Sequence, residues 1–253
     1  MVRLARGIHS IDGLEHPFGI GIVVYVVEES PHDLTLVDAG FLAELPKLKT
    51  HLQDEGYDIK DVKRLVLTHT HVDHVQAANE VKKASGARIF SHWAEAGYLG
   101  RNPPYNGPPS HEMIQKIADR LGITMEDIAK KFGKLGVDPI PIDEVLNDGD
   151  SIGRLKVVHS PGHTPGHIAV YSSEDRTVIG GDFLFKSVLG VEGLFVPDSE
   201  VSIDPLLAAV SARRISQLHF EKLLLGHQDA PILENASEAV ERAANLALDN
   251  KRG

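Results

Sequence analysis

Cysteine is absent from the 253 residues, which removes disulfide staples, thiolate metal ligands, cysteine-held iron-sulfur clusters and a cysteine nucleophile in one step. Any chemistry must come from nitrogen and oxygen groups. Long apolar runs are also scarce. The longest near the start, Ile20 to Val27, is too short to span a bilayer, and Glu28 and Glu29 follow it where a secretory leader would carry small residues. The expectation is a cytoplasmic, soluble protein with no membrane partner. Positive charge is in deficit: 26 Lys and Arg stand against 36 Asp and Glu, a formal charge of -10, with no basic tract. Nucleic-acid phosphates are therefore disfavoured partners, and a small-molecule substrate is expected instead.

Hydrophobic content is 42%, enough for a sizeable core. Short aliphatic or β-branched runs bounded by Gly, Pro, Asp or Ser predict strands at Gly19 to Val27, Leu34 to Asp38, Arg64 to Thr68, Ala87 to Ser91, Leu155 to His159, Ile168 to Ser172, Thr177 to Gly181 and Lys222 to Gly226. Helical periodicity predicts helices at Ala43 to Gly56, Asp73 to Ser85, His111 to Leu121, Thr124 to Phe132, Pro205 to Gln217 and Ala236 to Asp249. Thr124, Asp204 and Asn235 stand where N-caps belong. The order runs sheet, helix, sheet, helix with no linker, so one α/β domain over residues 1–253, with two packed sheets between helical layers, is expected. Residues 93–143 look like an insertion, turn-rich and then two short helices around Gly122, placed as a lid or as a homodimer contact.

The densest feature is THTHVDHV, residues 68–75, directly after an apolar strand. His69 and His71 are two apart, so in extended chain they point the same way and can share one ion. A turn into a helix would swing Asp73 and His74 toward a neighbouring position. Three later segments end on similar groups: His163 in SPGHTPGH, Asp182 in GGD and His227 in LLLGH. The inventory is then His69, His71 and His163 for one metal, Asp73, His74 and His227 for the other, and Asp182 between them. Two divalent cations about 3.5 to 4 Å apart would activate water and clamp both oxygens of a displacement. Zinc suits imidazole and carboxylate best, and iron or manganese are accommodated by the same set.

THTHVDH, GHTPGH, GGD and LLLGH, with VDAG at residues 37–40 ahead of them, resemble the metallo-β-lactamase-fold hydrolases in both motif and order. The resemblance frames nearly the whole chain, from Leu34 to His227. It implies a four-layer αββα sandwich with the metal pair at one edge of the two sheets, and a supporting rather than ligating role for Asp38. The mechanism it implies is attack by a hydroxide shared between the cations, with Asp73 orienting the nucleophile and returning a proton to the leaving group.

Within that superfamily the substrate is less plainly written. GDFLF is similar to the GDTLF of glyoxalase II-like thioesterases, but their small basic segment is replaced by KSVLGVEG. Lactonases of similar length commonly carry a tyrosine three residues after the bridging aspartate, where this chain has Phe185. Phe18, Trp93, Tyr98, Tyr105 and Phe185 are assigned to a hydrophobic substrate pocket. The expected activity is hydrolysis of lactones or carboxylic esters, with phosphotriesters or phosphodiesters next, then glutathione thioesters or an iron-dependent redox reaction. His9, His16, His32, His51, His111 and His219 lie outside the motifs and are assigned to surface or packing. Hydrogen bonding behind the site is the functional option for His92, His159 and His167.

Overall fold

The structure is a computed structural model that describes residues 1–100, 111–133, 135–188 and 190–249, and only the backbone of His111 and Met113. The chain opens with an antiparallel meander of β1 (Val2–Ala5), β2 (Ile8–Leu14), β3 (Ile22–Ser30) and β4 (Asp33–Val37). Helix α1 (Leu45–Asp54) leads to β5 (Val62–Leu67), followed by α2 (Val72–Val75), α3 (Ala78–Ser85) and β6 (Arg88–His92). The expected insertion supplies α4 (Trp93–Leu99), α5 (His111–Leu121) and α6 (Met125–Phe132) before β7 (Glu144–Leu146) completes a seven-stranded sheet in sequential order, parallel from β4 onward.

The second sheet contains β8 (Ser151–Ile152), β9 (Leu155–His159), β10 (Ile168–Ser172) and β11 (Thr177–Ile179). After the separate hairpin of β12 (Phe185–Val188) and β13 (Val191–Phe195) and helix α7 (Pro205–Ser216), β14 (Lys222–Leu224) joins it parallel to β11, and α8 (Ala236–Asp249) closes the fold.

Strand β3 shows why the layers stack as they do. Val24 and Val26 pack outward with Leu48 and Leu52 of α1, whereas Val23, Tyr25 and Val27 pack inward with Val157, Ile168 and Val170 of the other sheet. Period-two alternation with both faces apolar is the pattern of a strand covered on both sides. The outer face of the second sheet, through Ala169, Val178 and Leu223, packs on Ala212 and Ile215 of α7 and on Val240 and Ala244 of α8. This is the expected αββα sandwich. Among the described residues no helix is long and apolar enough to cross a membrane.

Several expectations need correction. β1, β2, β7, β8, β12 and β13 were not anticipated, and β3 starts at Ile22 rather than Gly19, because Gly19 and Gly21 both adopt positive φ, 72° and 66°. The single helix expected over Asp73 to Ser85 is two helices. The Ala77 N–H donates to Gly40 O at 3.1 Å, outside the helical ladder, and the Ala39 N–H reaches His74 O at 2.7 Å. That tie pulls α2 toward the end of β4. Trp93 begins a helix, α4, instead of a loop. Of the caps, Thr124 Oγ1 accepts the Asp127 N–H at 3.0 Å and Asp204 Oδ1 accepts the Leu207 N–H at 2.9 Å, whereas Asn235 sits at φ 52°.

Candidate metal centre

Four connections deliver side chains to one rim of the sandwich: the segment after β5, the β9–β10 loop, and the loops after β11 and β14. His71 leaves β5 in extended conformation, φ -65° and ψ 144°, and then caps α2, which turns Asp73 and His74 inward. Two clusters result, His69, His71, His163 and Asp182 in one and Asp73, His74 and His227 in the other, with the ligand-type atoms of each within 4.8 Å of one another and every residue buried. Asp182 Oδ2 stands between the two. It lies 3.9 Å from His69 Nε2 and 3.6 Å from His163 Nε2 on one side, and 3.3 Å from His74 Nε2 and 3.4 Å from His227 Nε2 on the other.

The outer nitrogens explain why the inner ones face this space. His74 Nδ1 donates to Asp38 Oδ2 at 2.8 Å and His227 Nδ1 donates to Gly21 O at 2.7 Å. Asp38 in turn accepts from the N–H and hydroxyl of Thr68, both at 2.8 Å, so Thr68 Oγ1 is left to accept from His69 Nδ1 at 3.0 Å. His163 Nδ1 is 3.1 Å from Ser202 Oγ. Each ring is thus fixed with Nε2 inward, the orientation in which imidazole serves a metal. His71 differs, presenting Nδ1 at 2.9 Å from His163 Nε2. Asp38 holds this arrangement at φ 64°, a left-handed conformation that aspartate tolerates better than most residues.

The donor set fits a pair of divalent cations. His69 Nε2 is buried without a hydrogen-bond partner, a costly state for a polar atom unless something binds there. Charge points the same way. Burial alone would raise Asp73 and Asp182, but His74 and His227 beside them hold both carboxyls well below the usual range. Burial would depress His227, yet Asp182 and Asp73 outweigh it and lift it to about 10, and His74 rises for the same reason. Burial and neighbouring imidazoles push His69 and His163 down. Two buried carboxylates demand positive charge, and in the metal-free chain His74 and His227 supply it as protons.

A cleft opens above the clusters. Its polar floor is His71, Asp73, His163, Asp182 and His227, and its walls include Phe18, Ile20 and Phe41, Ile114 and Ile117 from α5, Leu135, Phe185 and Val201. Phe18 and Phe185, two of the residues assigned to a hydrophobic pocket, are on its walls. Trp93 is not: 61% exposed on α4, its ring lies 5.5 Å from that of His92, while Glu95 two residues on is turned inward. Tyr98 is not among the lining residues either, and Tyr105 lies outside the described residues.

Several groups escaped the sequence reading. His16, assigned to surface or packing, lines the cleft with Nε2 3.5 Å from Asp73 Oδ2, because the chain between β2 and β3 folds over the site. Glu95, fully buried, accepts the Gly166 N–H at 2.6 Å and so braces the loop bearing His163; burial pushes its carboxyl up. Ser202 was also missed. No local motif marks any of the three. Of the histidines left open, His167 hydrogen-bonds behind Asp182, its Nε2 accepting the Asp182 N–H at 3.0 Å. His92 and His159 stack on each other, centroids 4.1 Å apart and 11° from parallel.

Comparison with known proteins finds a family in sequence and a fold in structure. The sequence profile described as the metallo-beta-lactamase superfamily matches residues 18–227. A probable metallo-hydrolase of Bacillus subtilis, YflN, is 24% identical over 246 residues, covering 89% of this chain and 88% of that one. The hydroxyacylglutathione hydrolase GloC of Haemophilus influenzae is 29% identical over 51% of this chain and 53% of its own length. Among solved structures, a metallo-beta-lactamase family protein of Thermus thermophilus superposes with TM-score 0.70 at 24% identity, covering 99% of this chain and 81% of that one. A subclass B3 metallo-beta-lactamase of Bradyrhizobium japonicum gives 0.66 at 20%, covering 99% and 91%.

Proposed function

The chain belongs to the metallo-beta-lactamase superfamily, and from that premise we propose that it is a binuclear metallohydrolase of small neutral esters, lactones and carboxylic esters first. His69, His71 and His163 would hold one ion, Asp73, His74 and His227 the other, with Asp182 shared. A metal pair held there would supply an acidified water as nucleophile near neutral pH and a polarising charge for the carbonyl. The remaining work belongs to the protein. Asp38, Thr68, Ser202 and the Gly21 carbonyl keep the imidazoles in place, so little reorganisation is needed during reaction. Asp73, on the cleft floor, orients the water, takes a proton from it as it attacks and passes that proton to the departing oxygen.

The observation that carries the substrate assignment is the cleft wall. Its described lining residues are aliphatic and aromatic apart from the two clusters and His16, and include no lysine or arginine. A glutathione thioester carries carboxylates away from its reacting carbon that such a wall leaves unpaired, whereas a lactone with an acyl tail carries none. α5, which contributes Ile114 and Ile117, acts in this reading as the lid that excludes water. Neutral phosphotriesters fit the same wall and are the second reading.

The test is kcat/KM for a medium-chain lactone and for an aryl phosphotriester on one preparation of quantified metal content. Preference for the lactone is expected. Preference for the phosphotriester moves the assignment to phosphoryl chemistry, and rejection of both removes the neutral-ester reading.

A further inference from the structure

His16 is the one polar side chain among the described lining residues of the cleft that belongs to neither metal-type cluster. Its tautomer is set by the backbone. The Phe18 N–H donates to His16 Nδ1 at 3.1 Å, so Nδ1 bears the lone pair and the proton sits on Nε2. That N–H faces Asp73, but 3.5 Å from Nε2 to Oδ2 is longer than a formed N–H···O bond. The donor is thus aimed at the Asp73 side of the floor without being spent there. The ring is held edge-on to His227, centroids 5.5 Å apart, and is backed by Phe18 at 5.2 Å and Phe41 at 5.7 Å. An imidazole packed in this way loses little freedom when it makes a new hydrogen bond.

We propose that His16 is a further catalytic residue, whose Nε2–H donates a hydrogen bond to the departing ester oxygen beside Asp73. The inference rests on the ester-hydrolase reading and adds the residue that handles the leaving group. Negative charge grows on that oxygen as the acyl C–O bond breaks; His16 stabilises it while Asp73 delivers to it the proton that the carboxylate took from the attacking water as the new acyl C–O bond formed. His16 itself keeps its proton throughout. Because a donor aimed at developing charge acts more in the transition state than in the bound substrate, its loss lowers kcat rather than raising KM.

The experiment compares wild type, His16→Phe and His16→Gln on a series of carboxylic aryl esters whose leaving phenols differ in acidity. Metal content is quantified for each, and the His16 tautomer is read by 15N NMR in the metal-free protein. Expected results are an Nε2–H tautomer, unchanged metal content in all three, and a fall in kcat of about 100-fold for His16→Phe. The fall should steepen as the leaving phenol becomes less acidic, with KM little changed, and His16→Gln should recover part of it by keeping a donor. An Nδ1–H tautomer, loss of metal in His16→Phe, an unchanged kcat, or a loss independent of the leaving group would each overturn the proposal. Wild-type protein inactive on every ester would remove the ester-hydrolase reading and this proposal with it, whereas an active wild type indifferent to His16→Phe removes this proposal alone.

Discussion

His167 holds Asp182 by the main chain: His167 Nε2 accepts the Asp182 N–H at 3.0 Å, while its Nδ1 donates to Ser160 Oγ at 2.8 Å. The Ser160 hydroxyl donates in turn to the His167 carbonyl at 3.3 Å, so no other tautomer satisfies the set. A side chain at residue 181 would intrude, since a Cβ there would lie 2.9 Å from both His167 Nε2 and Thr68 Oγ1; Gly181 at φ 55° avoids it. An imidazole that belongs to neither cluster, packed against the rings of His69 and His163 at 5.1 and 5.8 Å, thereby sets the height of the carboxylate shared by both.

His167→Phe tests that dependence. The ring volume is nearly kept but the acceptor is lost, leaving the Asp182 N–H unpaired. Metal affinity should fall about 10- to 100-fold, the range for lost supporting contacts around a metal, as measured by competition with a chelator. Wild-type affinity in this variant would mean that the loop holds Asp182 without His167.

Asp182→Ala and His163→Ala ask whether the two clusters are coupled. Removing His163 takes one donor from one cluster, whereas removing Asp182 takes the oxygen that lies within 3.3 to 3.9 Å of four imidazoles. Asp182→Ala should therefore reduce occupancy of both positions and His163→Ala chiefly one, with turnover abolished in each. Elemental analysis alongside an ester assay decides it, and two ions per chain with full turnover in either variant would refute the ligand set.

Protons and metal compete for this site, and the sign follows from the burial of its two carboxylates. In the metal-free chain His74 is raised and His227 lies at about 10, so both are protonated at pH 7 and must lose their protons to bind a cation. Calorimetry in buffers of different ionisation enthalpy should register about two protons released for full loading, and affinity should weaken as pH falls. Stability has a separate acid limb. Burial holds His167 at about 3, below its unfolded value of about 6.5, so its contribution is complete above the latter and is lost as pH falls toward the former. His74 and His227, raised in the fold, contribute fully below about 6.5 and add no slope there. Urea unfolding of the metal-free protein should lose about 1.4 kcal/mol per pH unit for each histidine buried neutral.

The metal-type residues were legible because strand ends concentrate them: His69, His71, Asp73 and His74 follow β5 within a few residues, and His163, Asp182 and His227 each close a short apolar segment. β3 was legible because its two apolar faces require two covers. His16 and Ser202 were not, since each comes from a loop whose local sequence encodes only a turn, and contact with the site arises from folding across more than thirty residues in sequence. The break between α2 and α3 was invisible for a similar reason. Local periodicity runs straight through Gln76, and only the tertiary bonds from Ala39 and Ala77 interrupt it. Trp93 misled because an aromatic residue after a strand resembles a pocket wall, whereas His92 caps α4 and turns Trp93 outward.

Phe185 offers the sharpest test of substrate class. Its ring lies 5.4 Å from that of His227, 6.2 Å from that of His163 and 5.9 Å from that of Phe195, at the start of β12 and on the cleft wall. Phe185→Tyr adds one hydroxyl at the ring tip and little else. If the tip faces a bound lactone, the new donor reaches the oxygen on which charge develops, and kcat/KM for lactones should rise by about tenfold, the effect of roughly 1.4 kcal/mol in the transition state. Phosphotriester turnover should change less, because its oxygens are arranged differently around the reacting atom. If the tip instead faces Phe195, the hydroxyl is buried without a partner, and stability should drop by about 1 to 3 kcal/mol with no gain in rate. Turnover on the two substrates and urea unfolding of the same variant separate these cases, since a donor that helps the reaction and a hydroxyl stranded in the core cannot both occupy the one position.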